Sequence, residues 1–391
     1  MKLSSIQIPG FQRPSFRIPS LVSLKREPKD TIVGVEFDAA GIAATEVVNN
    51  GGVHVKTAAI AEVPAGAVHD GEVVDPEALG KALAEMFSVN SLSGNVRLGI
   101  ANQKVAVRTL HLPVIADPAE LETAIRFRAA DEIPMPLDQA VMDYTVVGEV
   151  GPSSERRLEV VVATARRDMV NAALLALRQA GLRPVGIDLS AYGMIRALHG
   201  AVPAPAAPAA SYEDLQDSEA GTYPTQPARL YCNLGDITNL AIARGEACLF
   251  TRAASFGVEG IAQRLAEVQG LTLEHARSWL GHVGLQSPVE EIEGDQEVIV
   301  ATRSVLEEGI AKVTDELRLS LDFYAQQQGM PPVADVVITG VGADIPGVAE
   351  HLSIAFGLPV MVGRPAALTQ RFSKDASRLT LSYGLGIGAV S

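Results

Sequence analysis

The feature that most constrains the fold of this chain is a pattern of three short strands that occurs twice. The first copy comprises the predicted strands 31–37, 42–48 and 53–63. The second copy comprises the predicted strands 230–234, 239–243 and 246–252. When residues 34–38 are laid over residues 231–235, both segments carry a polar or acidic side chain near the end of the first strand. This repeat predicts two lobes that each open with a three-stranded meander, and a chance pairing of two meanders is the alternative.

The segment between the two copies has a different composition. Residues 201–228 contain five prolines among many alanines and several acidic residues, which is typical of a linker or surface loop. We therefore expect a first lobe at 31–200 and a second lobe at 229–391. Residues 1–30 interleave apolar and basic side chains with prolines. That pattern predicts a flexible basic tail, or a segment that attaches to a partner or to an anionic membrane surface.

Composition and charge limit the functions open to the chain. Its 391 residues are 47% hydrophobic and 20% charged, which is typical of a folded protein. The formal net charge of −14 argues against nucleic-acid binding, which usually needs a basic surface. The sequence has no apolar run of the roughly 18–20 residues that a membrane helix needs, and residues 1–29 lack a signal-peptide pattern. We expect a cytoplasmic protein whose two cysteines are buried and reduced.

Motifs for common enzyme chemistry are missing from the sequence. Its seven histidines include no pair at the helical spacing of a metal site. It has neither a Walker A loop nor a Gly-x-Ser-x-Gly nucleophile elbow. We therefore expect no catalytic residue and no protein-held metal site.

Two glycine-rich segments stand in the second lobe. The predicted strand 335–339 leads into Gly-Val-Gly-Ala at 340–343 and then a helix at about 346–356. A strand that feeds a glycine turn and a helix N-terminus is a plausible nucleotide contact. The glycines at 384, 386 and 388 lack a following helix, and they predict a C-terminal strand or helix packed closely against the core.

Two lobes of this kind, with such a third turn, are typical of the actin, Hsp70 and sugar-kinase superfamily. There the first hairpin turn of each lobe presents backbone N–H groups to nucleotide phosphates, and small residues let the backbone approach the anion. A carboxylate at the end of each first strand orients Mg²⁺. The predicted fold class is therefore α/β, an actin-like ATPase fold with ribonuclease H-like duplicated lobes.

A series of short motifs gives a closer resemblance. The motifs lie at 33–36, 63–75, 111–113, 120–137, 143–144, 181–182, 187–188, 250–252, 256–257, 316–324 and 340–348. In this order they resemble the PilM family of type IV pilus assembly proteins across residues 31–391. An inserted subdomain at about 105–185 makes the resemblance PilM-like or FtsA-like rather than actin-like.

The resemblance implies a nucleotide site in the cleft between the lobes, for ATP with Mg²⁺. The residues placed there are Glu36, Gly235, Asp236, Thr238, Gly257, Glu316, Gly340 and Gly342.

The phosphate turns depart from the pattern of the family. Residues 36–40 read Glu-Phe-Asp-Ala-Ala where the family usually has Asp-Ile-Gly-Ser-Ser, and Ala43 replaces a lysine. Asn233 replaces an aspartate in the second turn, and Val341 replaces a glycine in the third. Because a carboxylate repels phosphate unless a metal intervenes, these changes indicate a degraded site. An active ATPase, nucleotide binding without turnover and a nucleotide-free scaffold all remain open.

The resemblance also implies a role as an assembly component at the cytoplasmic face of the inner membrane. There a groove of the first lobe and its insertion would bind the N-terminal tail of a PilN-like membrane protein, which orders on binding. Contacts with pilus motor ATPases and self-association are further implied partnerships. Our hypothesis places five residues near that groove: Arg126, Arg128, Ile133, Pro134 and Tyr144.

Three rival functions stay open. An active actin-fold ATPase or kinase would need competent phosphate turns. An FtsA-like membrane-associated filament protein would need a terminal amphipathic helix, whereas residues 381–391 are uncharged and glycine-rich. A secretion-system platform protein with the same fold is the third.

Overall fold

The computed structural model describes residues 31–151, 155–205, 227–327 and 329–388. The expected basic tail at 1–30, and residues 206–226 of the expected linker, lie outside the described residues. No helix in the described part of the chain is both long and apolar enough to cross a membrane.

The first half of the described chain alternates between strands and helices. Its strands are β1 (Thr31–Asp38), β2 (Gly41–Asn49), β3 (Val53–Ala61), β4 (Val68–His69), β5 (Glu72–Val73), β6 (Asn95–Ile100), β7 (Val105–Pro113), β8 (Ala140–Val150), β9 (Arg157–Arg166) and β10 (Arg183–Leu189). Its helices are α1 (Pro76–Val89), α2 (Pro118–Glu132), α3 (Arg167–Gln179) and α4 (Ser190–Leu198).

The second half opens with three strands and continues mainly as helices. Its strands are β11 (Ala228–Leu234), β12 (Thr238–Arg244), β13 (Ala247–Ala254), β14 (Val333–Thr339) and β15 (Val360–Val362). Its helices are α5 (Val258–Gln269), α6 (Leu273–Val283), α7 (Gln296–Ala325), α8 (Val348–Phe356), α9 (Ala366–Thr369) and α10 (Ala376–Ile387), with 3₁₀ turns at Val289–Glu291 and Val341–Asp344.

The two lobes are built on sheets of the same topology. The first sheet has the order β10-β6-β1-β2-β3 and the second has the order β13-β12-β11-β14-β15. In both, an antiparallel meander is extended by two parallel strands on the far side of its first strand. The repeat that the sequence predicted is therefore a true structural duplication, and both first hairpin turns lie at equivalent ends of their sheets.

The inserted sheet is a separate layer with its own core. Strands β7, β9 and β8 pair antiparallel in that order. Helix α2 begins after Asp117, whose side chain accepts hydrogen bonds from the N–H groups of Ala119 and Glu120, as expected of an N-cap. One apolar side of α2 is buried against the sheet. That side consists of Leu121, Ile125 and Ala129.

The insertion is narrower than the predicted range of 105–185. Its sheet and helix occupy residues 105–166. Helix α3 packs against α1, and β10 pairs parallel with β6 at the edge of the first sheet. Residues 167–189 therefore belong to the layers of the first lobe.

The last helix returns from the second lobe to the first. Helix α10 packs against β1, β2 and α4, although the sequence predicted residues 229–391 as one lobe. Glycines allow this close approach: a Cβ atom on Gly384 would lie 1.8 Å from the carbonyl oxygen of Gly193 in α4. A Cβ atom on Gly34 would lie 1.9 Å from the carbonyl oxygen of Ser382. The predicted close packing of the C-terminal glycines is thus observed, and it fixes α10 beside the cleft.

Candidate functional site

The first hairpin turn, between β1 and β2, is closed by one side chain. The Oδ1 atom of Asp38 accepts hydrogen bonds from the N–H groups of Ala40 and Gly41, each over 3.0 Å. Aspartate commonly closes a turn by accepting from backbone groups two or three residues ahead. Two of the turn's N–H groups are therefore already bound to a carboxylate.

An arginine from the far end of the chain lies against this turn. The Nη1 atom of Arg378, on α10, donates to Oε1 of Glu36 over 2.6 Å. Its Nη2 atom donates to Oδ1 of Asp38 over 3.1 Å and to the carbonyl oxygen of Gly41 over 2.8 Å. All three charged side chains are buried or nearly so. Arg378 thus pairs with both carboxylates at the end of β1, and its single positive charge offsets one of their two negative charges.

Glu36 is only partly satisfied by this pair. Its second oxygen, Oε2, is buried without a hydrogen-bond partner. Burial raises the pKa of Glu36 to about 7, aided by the charge of Asp38 and opposed by the guanidinium of Arg378.

The second hairpin turn, between β11 and β12, touches the first. The N–H group of Ala39 donates to Oδ2 of Asp236 over 3.1 Å, across the cleft between the lobes. A Cβ atom on Gly235 would lie 3.4 Å from Oδ2 of Asp38, so the space between the two turns at this point is about that of one methyl group. Burial raises the pKa of Asp236 to about 6, and the charge of Asp38 adds to the shift.

Glycines hold the second turn in place. The N–H group of Val258 donates to the carbonyl oxygen of Gly235 over 2.8 Å. A Cβ atom on Gly257 would lie 2.3 Å from that oxygen. Gly340 has a φ of +84°, and a Cβ atom there would lie 2.5 Å from Oδ1 of Asn233. The close packing of these backbones requires the absence of side chains at both positions.

The other three predicted nucleotide residues have structural contacts. Thr238 donates its hydroxyl to the carbonyl oxygen of Phe256 over 2.7 Å. Gly342 packs against β11 and the start of α5. Glu316, on α7, accepts from Nη2 of Arg252 over 3.0 Å. Glu36, Gly235, Asp236, Gly257 and Gly340 therefore gather at the two turns, whereas Glu316 pairs with β13.

A small pocket with an enclosed volume of about 20 Å³ opens beside these turns. Its walls include Glu36, Asp38, Asn233 and Asn239. The Nδ2 atom of Asn239 is buried there without a hydrogen-bond partner. Asn239 and Arg378 were not predicted from the sequence, because nothing local in the sequence marks either residue as a neighbour of the first turn.

The residues of this cleft do not fit the phosphates of a nucleotide. Phosphate binding needs free N–H groups at the turns, but the N–H groups of residues 39, 40 and 41 all donate to carboxylates. Glu36, Asp38 and Asp236 also bring three carboxyl groups to the turns, and the single positive charge of Arg378 cannot offset all of them. The geometry supports neither MgATP binding in this conformation nor a hydrolytic step.

A second candidate site lies where strand β8 of the inserted sheet packs against the first lobe. Strand β8 is an edge strand of the inserted sheet and β10 is an edge strand of the first sheet. Asp143 of β8 is half-buried, and its pKa is raised to about 6 by burial and by the charge of Asp188 on β10. Asp188 forms an ion pair with Arg196 of α4. Burial raises the pKa of Tyr192 on α4, and the charges of Asp188 and Asp143 add to the shift. Asp143 and Asp188 therefore lie close enough for their charges to interact, and each belongs to an edge strand; we call the region around these two residues and Tyr192 the groove.

The residues predicted for partner binding occupy a different face. Arg126 pairs with Glu122 on α2, and Tyr144 lies beside that pair. Arg128 pairs with Glu132, and Pro134 is exposed.

Ile133 is 6% exposed and belongs to the core of the insertion, where it packs beneath α2. Asp143 and Asp188 appeared only in the family motifs at 143–144 and 187–188, and neither they nor Tyr192 was predicted to bind a partner. The placement of the partner site in the inserted subdomain stays a prediction, and the sequence could not tell which face of β8 meets the first lobe.

Comparison with known proteins agrees with the fold. A family model described as "Type IV pilus assembly protein PilM" matches residues 34–212. A solved structure described as a PilM-PilN type IV pilus biogenesis complex is similar with a TM-score of 0.71 and 23% identity, over 93% of this chain and 100% of that chain. The ethanolamine utilization protein EutJ of Carboxydothermus hydrogenoformans is similar with a TM-score of 0.48 and 14% identity, over 93% and 92% of the two chains. MreB5 of Spiroplasma citri, bound to ADP, is similar with a TM-score of 0.46 and 13% identity, over 92% and 95%.

These findings bear on two predictions. The duplicated sheets and the likeness to the PilM-PilN structure confirm the actin-like ATPase fold. The resemblance to the PilM family of type IV pilus assembly proteins, which the sequence motifs indicated, is confirmed as well.

Proposed function

We propose that this chain is a type IV pilus assembly component that binds the N-terminal tail of a PilN-like membrane protein and lies at the cytoplasmic face of the inner membrane through that partner. The family match over residues 34–212 and the likeness to a PilM-PilN complex support the proposal. The bound tail, and not a nucleotide, is the ligand of this function.

The observation that carries the proposal is the groove with two strand edges. Among the described residues, β8 pairs only with β9, and β10 pairs only with β6. Almost every residue of β8 is half-buried, so the strand lies under partial cover along its length. An extended peptide can add itself to such an edge through main-chain hydrogen bonds, while alternate side chains enter pockets on either side.

The charge of the groove favours a tail with a basic residue. Asp143 is half-buried without a cationic side chain among its electrostatic neighbours, and the charge of Asp188, which is itself paired with Arg196, raises the pKa of Asp143 further. A carboxylate whose pKa is raised by burial gains stability when a cation or an N–H group approaches it. We therefore place one basic residue or backbone donor of the tail beside Asp143.

A scaffold role fits the interlobe cleft better than a motor role. The turn N–H groups that would bind phosphates are occupied, so the work of a motor falls to separate ATPases with which this chain would make contact. Self-association is a further proposal that the tail-binding groove does not require.

The test is a calorimetric titration of the full chain with a synthetic peptide of the PilN-like tail. We expect saturable binding with a Kd of order micromolar, about −8 kcal/mol. Asp143→Ala and Tyr192→Ala should each weaken binding tenfold or more. Glu85→Ala, an exposed change on α1, is the matched control and should leave the Kd unchanged.

Two results would rule the groove out. The peptide could fail to bind the folded full-length chain, or it could bind Asp143→Ala and Tyr192→Ala as tightly as it binds the natural sequence. Tight binding lost on Arg126→Ala or Tyr144→Ala instead would move the site to the α2 face that the sequence motifs suggested.

A further inference from the structure

We propose that the interlobe cleft is a phosphate site filled by the protein's own carboxylates, so that the two lobes are held closed without nucleotide. In this arrangement Asp236 takes the place of an anion on the first turn, and Arg378 takes the place of the cation that would accompany it. The inference concerns the cleft alone and does not depend on peptide capture in the groove.

The N–H groups of the first turn already donate to carboxylates of the protein itself. The three consecutive N–H groups at residues 39, 40 and 41 form the kind of concave donor set that binds anions. Each of them donates to a carboxylate oxygen at 3.0 or 3.1 Å. One of those carboxylates, Asp236, comes from the opposite lobe. The donor set is therefore saturated by the protein itself, and the saturation spans the cleft.

Arg378 partly compensates the negative charges of the buried carboxylates. Two carboxylates at the end of β1 and a third from the second turn would repel one another in a buried cleft. Arg378 offsets this repulsion through two charge-assisted hydrogen bonds, to Glu36 over 2.6 Å and to Asp38 over 3.1 Å. Its side chain is 13% exposed, so the charge acts in a poorly screened environment. The guanidinium is anchored on α10, which packs against the first lobe.

The space beside the two turns is too small for the phosphates of a nucleotide. The pocket that Glu36, Asp38 and Asn233 line has an enclosed volume of only about 20 Å³, which is room for roughly one water molecule and not for a diphosphate. A nucleotide could enter only after the hydrogen bond between Ala39 and Asp236 broke and the lobes separated. Binding would then have to displace a covalently tethered carboxylate, whose effective concentration at the turn is high.

The closure can be measured directly as a distance between the lobes. Val89 on α1 and Ile354 on α8 are 75% and 85% exposed, and the two native cysteines are buried, so Val89→Cys with Ile354→Cys gives a specific spin-label pair. For the otherwise natural chain we expect one narrow distance distribution that millimolar Mg·ADP or Mg·ATP leaves unchanged. Adding Asp236→Ala should broaden the distribution and shift it to longer distances. Asp322→Ala, an exposed change on α7, is the matched control and should have no effect.

A variant designed to bind Mg·ADP provides a second test of the same proposal. Asp38→Gly with Asp236→Ala would free all three N–H groups and leave Arg378 available to an anion. We expect this double variant to show a melting temperature that rises by several degrees with Mg·ADP, whereas the natural chain shows no shift.

Each outcome decides the proposal. A nucleotide-dependent narrowing of the distance distribution in the natural chain, or saturable Mg·ADP binding to it, would overturn it. So would an Asp236→Ala chain whose distribution matches that of the natural chain. If the double variant fails to fold, the measurements on the natural chain and on Asp236→Ala still decide. Tail binding measured in the same samples separates this question from the proposed function.

Discussion

At the scale of single residues, Arg378 makes three hydrogen bonds to the first turn and the end of β1. It is the cation that faces the buried pair Glu36 and Asp38, and its third contact is to the backbone of Gly41. Removing one partner of a buried ion pair costs more than the pair itself contributes, because the other charge stays buried without compensation.

We therefore expect Arg378→Met to lower the free energy of unfolding by about 3 kcal/mol or more at pH 8. Arg126→Met breaks an exposed pair with Glu122 and should cost less than about 1 kcal/mol. Urea denaturation of the two variants checks the difference. Equal losses in both would mean that Arg378 contributes no more than a surface arginine.

Glu36 makes the stability of the fold depend on pH. Its pKa is about 7 in the folded chain against a usual value of 4.5, so the folded state holds the proton more tightly than the unfolded state does. The stability contributed by protonation is fully present below pH 4.5 and is lost as the pH rises through about 7. Asp236, with a pKa of about 6, contributes in the same direction.

The measurement is the melting temperature between pH 5 and pH 8. We expect it to fall as the pH rises, and we expect Glu36→Gln to make the fall shallower because glutamine does not titrate. Glu85→Gln is the exposed control and should keep the natural slope. A natural chain that becomes more stable from pH 5 to pH 8 would contradict the raised pKa values.

At the scale of elements, the crossing of α4 and α10 explains why the C-terminal segment is rich in glycine. The two helices meet backbone to backbone at Gly193 and Gly384. Helix α10 also reaches the second lobe, where the hydroxyl of Thr380 lies 3.1 Å from that of Thr339. The helix pair therefore links both sheets at the base of the cleft.

Gly384→Ala tests this crossing. Alanine normally stabilises a helix interior relative to glycine by about 1 kcal/mol. Here the added Cβ would overlap a backbone oxygen, so we expect the free energy of unfolding to fall by about 1–3 kcal/mol. Gly281→Ala in α6 is the matched control, because a Cβ there meets nothing within 4 Å and should be neutral or stabilising. The reverse order of stabilities in chemical denaturation would show that the helices do not cross closely.

The unpaired edges of β8 and β10 lead to a prediction about how the partner tail binds. If the tail adds itself as a strand, amides of β8 or β10 that face the groove gain a hydrogen-bonded partner. We expect tail binding to slow hydrogen exchange in Ala140–Val150 or Arg183–Leu189, and to leave β15 at the edge of the second sheet unchanged. Protection confined to α2 would instead support binding on the face of Arg126 and Tyr144.

At the scale of the whole molecule, the sequence reveals the duplication but not the way the lobes meet. The meanders were predictable because alternation of side chains and glycine turns are local signals, and the observed strands agree with the predicted ones to within a few residues. The contact between Ala39 and Asp236 joins residues 197 positions apart. Arg378 lies 340 positions from Asp38. No local pattern encodes such pairings, so the sequence could show that the turns depart from the family pattern but could not predict the contacts that Asp236 and Arg378 make with the first turn.

The closed cleft also makes a prediction about coupling between the two sites. A ligand shifts a conformational equilibrium only by the difference in its affinity for the two states. If the lobes are held closed by Asp236 and Arg378, nucleotide does not change their arrangement and cannot change the groove. We therefore expect the Kd of the tail peptide to be the same, within about twofold, with and without millimolar Mg·ATP, since coupled sites typically show changes of 5-fold or more.

The Asp38→Gly and Asp236→Ala double variant is the informative comparison for that titration. In it the lobes are free to separate and nucleotide has turn N–H groups to bind, so any mechanical connection between cleft and groove becomes visible as a nucleotide-dependent Kd. A fivefold change in the natural chain would show that its cleft still responds to nucleotide. No change in the natural chain and a clear change in the variant would show that the carboxylates, and not the fold, have uncoupled the two sites.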